Sequence, residues 1–170
     1  ASQASGLRQN FGTMTKPFHP GLACKNGVLS AQLASAGFTA DEDIFEGRFG
    51  FLRAFSGGQD YSPNNILQSL KETNHMMESG VEIKKYPCCG SSHLSLDAIF
   101  KIIESHNIDT NSIDEITSWV DFDPPRSLVH YNPTSALEGK FSMQYLLAAA
   151  LLDNQIGLNS FSDEKINRPE

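Results

Sequence analysis

The sequence has few basic residues and no long apolar run, and each shortage excludes a class of protein. Its 170 residues include 13 lysines and arginines against 20 aspartates and glutamates, for a formal net charge of −7. A protein whose main partner is nucleic acid usually carries a basic patch, and the basic residues here are scattered. The longest apolar run, residues 145–152, falls short of the roughly 18 residues of a membrane span. We therefore expect neither a nucleic acid nor a membrane as the partner.

Cysteine is also scarce, with Cys24 alone and Cys88 next to Cys89. An odd number of cysteines argues against a disulfide framework, and a reducing, cytoplasmic location is the simpler interpretation. The first residues show no basic region followed by an apolar stretch, so no secretory signal is expected. A zinc site has weak support, because no CxxC spacing occurs and only His93 lies near the cysteine pair. We predict no metal site, and we also expect no cofactor.

Apolar periodicity predicts helices on both sides of a Gly/Ser/Pro-rich stretch near residue 58 and strands only after it. The helical patterns cover residues 20–36, 38–57 (two short helices), 65–70, 92–106 and 141–152. Alternating patterns predict strands at 81–86, stopped by Pro87, and at 115–122. The composition therefore predicts a domain boundary near residue 58, with an α/β region after it.

The segment 84–93, KKYPCCGSSH, is the most informative candidate site. It reads as a strand that enters a turn and opens a helix, and helix N-termini bind anions through free N–H groups. Lys84 and Lys85 add positive charge, Ser91 and Ser92 add hydroxyl donors, and His93 adds a proton carrier. These groups suit a carboxylate or a phosphate, while the alternative is a serine-capped helix with an incidental histidine.

Two further segments carry candidate residues. In residues 12–21, GTMTKPFHPG, Lys16 and His19 flank the entry to a helix and would also favour an anion, unless the segment is only a surface loop. Tyr131 follows His130 near a turn and could donate to a carboxylate or act as an acid, although tyrosines there more often serve packing.

The adjacent cysteines offer a nucleophile as another alternative. Cys88 or Cys89 could form a thiolate pair with His93. An ordinary pair of small buried side chains is the competing interpretation, and thiol reactivity would distinguish the two.

Three ordered segments resemble the MmgE/PrpD family. They are residues 12–39, with GTMTKPFHPG, NGVL and GFT, residues 86–93, YPCCGSSH, and residues 140–152, KFSMQYLLAAALL. The family includes 2-methylcitrate dehydratase, cis-aconitate decarboxylase and iminodisuccinate epimerase, which act on small di- and tricarboxylates without an obligatory metal. Family members are much longer, so this chain is similar only to their middle portion.

The resemblance implies an α+β fold in two parts. Residues 1–58 would be part of an all-helical domain, residues 59–155 a small α/β domain, and residues 156–170 a polar tail. An incomplete helical domain should expose apolar surface, which favours association. We therefore expect a homodimer or a complementary chain as the partner.

The resemblance also implies roles for individual residues. Lys16 matches the family's substrate-binding lysine, and Lys84, with Lys85 beside it, matches a second pocket lysine. Cys89 stands where the decarboxylase branch carries a histidine, and Tyr131 falls at or within one residue of a pocket tyrosine in that branch. His93, Tyr131 and Cys89 are thus the catalytic candidates, and the substrate-binding candidates are Lys16, His19, Lys84, Lys85, Ser91 and Ser92.

These roles predict a lyase or isomerase portion, 2-methylcitrate dehydratase-like, that removes a proton next to a carboxylate. Lysines would neutralise the substrate carboxylates and stabilise the charge that develops, and a histidine or tyrosine would move the proton. Dehydration, decarboxylation and epimerisation share this step and stay open. The alternative is a non-catalytic α/β module that binds an acidic metabolite or a protein partner.

Overall fold

The computed structural model describes residues 6–57, 80–121 and 127–169, together with Ser62, Asn64, Gln68 and Met77. The chain divides into two compact units. Unit 1 comprises residues 19–83 with 1–5, and unit 2 comprises residues 6–18 with 84–170. Lys16 therefore belongs to the same unit as the 84–93 segment, although Lys84, the nearer end of that segment, lies 68 positions after Lys16.

The described residues form α-helices joined by short 3-10 turns. The helices are α1 (Thr15–Ser35), α2 (Phe51–Phe55), α3 (His93–Ser105), α4 (Ala136–Gly139), α5 (Met143–Asp153) and α6 (Asp163–Ile166). The 3-10 turns are Arg8–Asn10, Gly90–Ser92, Thr110–Ser112 and Leu158–Ser160. Helices α3 and α5 confirm the helices predicted at 92–106 and 141–152, while most of the helix predicted at 65–70 lies outside the described residues. Within the described ranges, no helix is both long and apolar enough to cross a membrane.

The prediction of an α/β region is wrong, because neither predicted strand forms in the residues that the structure describes. Residues 81–84 and 115–120 have no regular secondary structure. A strand exists only when its backbone groups pair with a neighbour, and these segments face solvent instead. Ile83 is 95% exposed and Trp119 is 91% exposed. An alternating pattern of side chains does not by itself supply a neighbouring strand to pair with. The described architecture is therefore helical rather than α+β.

The core of unit 2 lies between α3 and α5. Helix α3 is amphipathic and buries Leu96 and Ile99 on one face. Helix α5 is apolar around its circumference, and Leu146 and Ala150 are fully buried. A helix that is apolar on all sides must be surrounded by other elements, which places α5 at the centre of this unit.

Caps and a return of the chain hold α5 in place. At its N-terminus the Ser142 hydroxyl accepts a hydrogen bond from the Tyr145 N–H (3.2 Å), the usual role of a serine at this position. Beyond its C-terminus the chain folds back, and the Tyr145 hydroxyl donates to the Ser160 carbonyl. Asp153 accepts ion pairs from Lys165 (2.9 Å) and Arg168 (2.8 Å). Residues up to 168 are thereby anchored to the core helix.

Unit 1 contains most of helix α1, which begins at Thr15 rather than at the predicted Pro20. Pro20 lies inside the helix, and no residue of α1 is buried. Leu29 and Leu33 are 44% and 39% exposed. The expectation that this helical part exposes apolar surface is confirmed.

Candidate functional site

The turn that precedes α3 is fixed by backbone carbonyls on both sides. The Lys84 ammonium group donates to the Cys88 carbonyl at 2.8 Å, which closes the turn over Tyr86. The Cys89 N–H donates to the Lys140 carbonyl at 3.0 Å, which ties the turn to the segment before α5. The predicted turn and the following helix are present, without the strand that was expected to enter them.

The two neighbouring lysines of this turn have different electrostatic partners. Lys85 donates to the Asp97 carboxylate at 2.6 Å, and the Tyr86 hydroxyl donates to the same oxygen at 2.7 Å. The hydrogen bond from Lys85 is the main reason that the pKa of Asp97 lies below its ordinary value, and Asp97 in turn raises the pKa of Lys85. Within the described ranges Lys84 has no carboxylate partner. Lys84 thus keeps an uncompensated positive charge, and Lys85 does not.

His93 is the first residue of α3 and carries an unsatisfied nitrogen. Its Nε2 atom is buried and has no hydrogen-bond partner among the described residues. Its ring lies nearly perpendicular to the Tyr86 ring, at a centroid distance of 5.2 Å and an interplanar angle of 85°. A buried polar atom without a partner is costly and uncommon, so this nitrogen has a hydrogen-bonding capacity that the described residues do not use.

Hydroxyl and thiol groups line the same turn. The Ser92 hydroxyl donates to the Cys89 carbonyl (2.8 Å) and lies 3.3 Å from the Cys88 sulfur. The side chain of Ser92 therefore does not cap α3, and no acidic residue occupies the first turn of that helix. Burial raises the pKa of the Cys88 thiol, which keeps it protonated at neutral pH. Cys89 is also buried.

Lys16 and His19 lie in helix α1 but belong to different units. Lys16 is half-buried in unit 2, and its ammonium nitrogen lies 5.8 Å from the centroid of the Phe11 ring. An ammonium group over an aromatic face is attracted by the ring quadrupole. His19 is half-buried in unit 1. Unit 2 therefore contains Lys16 together with the 84–93 turn, whereas His19 belongs to unit 1.

Tyr131 and Ser91 border two apolar cavities of unit 2. Ser91 lines a cavity of about 640 Å³ between α3 and residues 113–121. Tyr131 is 68% exposed and lines a second cavity of about 500 Å³. His93 lines neither of them. The structure thus associates His93 with the lysine turn and Tyr131 with a separate apolar cavity.

Two residues that organise this region, His130 and Lys140, were not among the predicted site residues. The backbone carbonyl of Lys140 accepts the hydrogen bond from the Cys89 N–H. The positive charge of Lys140 lowers the pKa of the Cys88 thiol, but burial raises that pKa by more. His130 binds the carbonyl of Phe11 through its ring (2.7 Å). Lys140 stands within the third family-like segment, which could have signalled it, whereas the contact of His130 joins residues 119 positions apart and has no signal in the sequence.

The arrangement offers a cation, a helix N-terminus without a side-chain cap and a histidine nitrogen on one turn. This set can bind an oxyanion and exchange a proton. In the part of the chain that the structure describes, no three His, Cys, Asp or Glu side chains come together as ligands for a metal ion.

Comparison with known sequences places these residues in a family. The model of the MmgE/PrpD N-terminal domain matches residues 1–64, and that of the C-terminal domain matches residues 86–170. The chain is 29% identical over 185 aligned positions to a cis-aconitate decarboxylase of Aspergillus terreus, which covers 99% of this chain and 37% of that protein. It is 30% identical over 176 positions to human cis-aconitate decarboxylase, with 99% and 35% covered. The chain therefore spans little more than a third of the length of these curated relatives. Since both family models match, the chain belongs to the MmgE/PrpD family.

Proposed function

We propose that this chain carries part of the active site of a lyase or isomerase for small di- or tricarboxylates. One observation supports it most: the 84–93 turn holds both an uncompensated lysine cation and a buried histidine nitrogen without a partner. Lys84 and Lys16 are the proposed carboxylate-binding residues, and His93 is the proposed proton carrier. A second copy or a complementary chain is proposed to cover the exposed apolar surface.

The chemistry follows from where charge appears during the reaction. Removal of a proton next to a carboxylate gives an enolate-like species whose negative charge spreads onto the carboxylate oxygens. Fixed cations such as Lys84 stabilise that charge more than they stabilise the ground state. His93 Nε2 can accept the proton because no hydrogen bond occupies it. Ser91, Cys89 and Tyr131 remain candidates for contacts to the rest of the substrate.

The proposed reaction class is an elimination. After the proton has been removed, the hydroxyl group on the neighbouring carbon leaves as hydroxide, takes up a proton to become water, and a carbon–carbon double bond forms. The named relatives are cis-aconitate decarboxylases, whereas the resemblance sets Cys89 at the position of the decarboxylase branch's histidine. We therefore propose dehydration, as in a 2-methylcitrate dehydratase, ahead of decarboxylation. Dehydration and decarboxylation both require the same carboxylate-binding lysines.

A thermal-shift titration with a matched pair of lysine variants tests the proposal. The ligands are 2-methylcitrate, cis-aconitate and citrate, with inorganic phosphate as the control anion. Ligand at about 100 times its dissociation constant adds roughly 2.7 kcal/mol of stability. We expect Lys84→Ala to abolish the shift and Lys85→Ala to retain it, because Asp97 already compensates Lys85. Lys16→Ala should also weaken binding.

The outcomes separate the alternatives. Equal shifts with phosphate and with the acids would indicate a general anion site and contradict a carboxylate pocket. No shift with any acid in a cooperatively folded protein would contradict the proposed site. Deuterium incorporation into a bound acid in D₂O, lost in His93→Gln, would support proton transfer, whereas selective binding without exchange would leave a non-catalytic binding protein.

A further inference from the structure

His130 joins two distant parts of unit 2 through one ring and one backbone group. Its Nε2 atom lies 2.7 Å from the carbonyl oxygen of Phe11. A carbonyl oxygen can only accept, so Nε2 carries the hydrogen and donates it. The His130 backbone N–H donates in turn to the carbonyl of Phe141 at 3.2 Å. One histidine therefore holds both phenylalanine backbones.

Gly12 is what permits this approach. It is buried, and its φ of +88° is a conformation that side chains disfavour. A Cβ built on Gly12 would overlap His130 Nε2 and would lie 3.1 Å from Glu138 Cγ. The ring thus passes directly over the glycine backbone to reach Phe11. The Glu138 carboxylate beside it accepts hydrogen bonds from the N–H (2.7 Å) and the hydroxyl (3.1 Å) of Thr134. The hydrogen bond of the His130 ring goes instead to the Phe11 carbonyl.

The position of Phe11 in turn determines where Lys16 lies. The Phe11 ring packs on the Phe141 ring at a centroid distance of 5.1 Å. The Lys16 ammonium nitrogen lies 5.8 Å from the centroid of the same Phe11 ring. A lysine side chain has many rotamers and loses entropy when it is held. Phe11 is held by ring contact with Phe141 and by the hydrogen bond from His130 to its backbone carbonyl. A Lys16 side chain held against this fixed ring loses less entropy when a ligand binds.

We propose that His130 is a positioning residue for Lys16. Its Nε2–H holds the Phe11 carbonyl, and Phe11 holds the Lys16 ammonium group in the orientation that a carboxylate ligand meets. The inference rests on the proposed function only in assigning that ligand to Lys16. The contact itself is a property of the free protein and is tested without ligand.

The test uses the ring current of Phe11 as a signature. Lysine amines are dimethylated with ¹³C-formaldehyde, and the Lys16 signal is assigned with Lys16→Arg. We expect the Lys16 signal to be displaced from those of exposed lysines in the parent protein. His130→Gln, which keeps an N–H donor, should retain the displacement. His130→Leu should lose it, as should Phe11→Leu, while the signal of Lys165 stays unchanged as the control for folding.

Two results would overturn the inference. One is an unchanged Lys16 signal in a folded His130→Leu protein, and the other is loss of the displacement in a folded His130→Gln protein. If His130→Leu does not fold, the imidazole ¹⁵N spectrum of the parent protein decides: a directly observed Nε2–H supports the contact, and an Nδ1–H tautomer refutes it.

The same variants separate this inference from the proposed function. With 2-methylcitrate as the probe, His130→Leu should raise the dissociation constant about tenfold, because binding must then order a Lys16 side chain that is no longer held in place. His130→Gln should leave the dissociation constant nearly unchanged. If the parent protein binds no acid while the Lys16 signal still depends on residue 130, the proposed function fails and the positioning role stands. Binding that is equal in all three proteins refutes the positioning role.

Discussion

Substitution of Gly12 by alanine is the sharpest test of how unit 2 is assembled. Two separate costs arise at this position. Alanine at a φ of +88° is strained by about 1–2 kcal/mol. The new methyl group also overlaps His130 Nε2, so the ring must leave the Phe11 carbonyl, at a further cost of about 1 kcal/mol. We expect Gly12→Ala to lower the free energy of unfolding by about 2–3 kcal/mol.

A double-mutant cycle separates these two costs. The assay is urea unfolding followed by circular dichroism, with Gly12→Ala measured in the parent protein and in His130→Ala. Without the ring, the backbone strain and the close approach to Glu138 Cγ (3.1 Å) remain, so the cost of alanine should fall by about 1 kcal/mol. Gly37→Ala is the matched control, since Gly37 has a φ of +85° and nothing within 4 Å of a built Cβ.

The reasoning fails if Gly12→Ala costs the same with and without the His130 ring. It also fails if Gly12→Ala and Gly37→Ala are equally destabilising, because the overlap with His130 would then contribute nothing. A neutral Gly12→Ala would contradict the left-handed backbone itself.

Two further predictions concern the charges and the thiols. Burial disfavours ionised Asp153, but hydrogen bonds from Arg168 and Lys165 outweigh it and hold its pKa below the ordinary value; its contribution is therefore present above about pH 4 and is lost as pH falls through the folded-state pKa. In urea unfolding, Asp153→Asn should cost about 2 kcal/mol at pH 7, and this difference should shrink as pH falls below about 4. A difference independent of pH would contradict this. At pH 8, iodoacetamide should modify the exposed Cys24 well before Cys88, whose pKa is raised by burial; peptide mass spectrometry measures the order, and rapid modification of Cys88 would favour a reactive thiolate.

Periodicity in the sequence was enough to predict the two main helices of unit 2. The spacing of Leu96 and Ile99 defines one apolar face of α3, and the continuous apolar run of α5 requires burial on all sides. These are local properties, since side chains three or four positions apart share a helix face whatever surrounds them. The turn at 84–93 was likewise visible from its proline, glycine and serines.

Local sequence patterns could not predict that the two expected strands would fail to form, or which residues would form ion pairs. Alternation at 81–86 and 115–122 predicted strands, yet a strand depends on a neighbour that the alternation does not specify. Lys84 and Lys85 look equivalent in sequence, and Asp97, 12 positions after Lys85, compensates only one of them.

By itself the sequence determined helices α3 and α5, the turn before α3 and the residue types that suit an anion. Tertiary structure alone decided which lysine has a carboxylate partner, that His93 Nε2 has no partner among the described residues, and that Lys16 shares a unit with the 84–93 turn. The physical reason is range. Helical periodicity acts over three or four residues, whereas charge compensation and hydrogen bonding depend on groups brought together from as far as 119 positions apart, as His130 and Phe11 are.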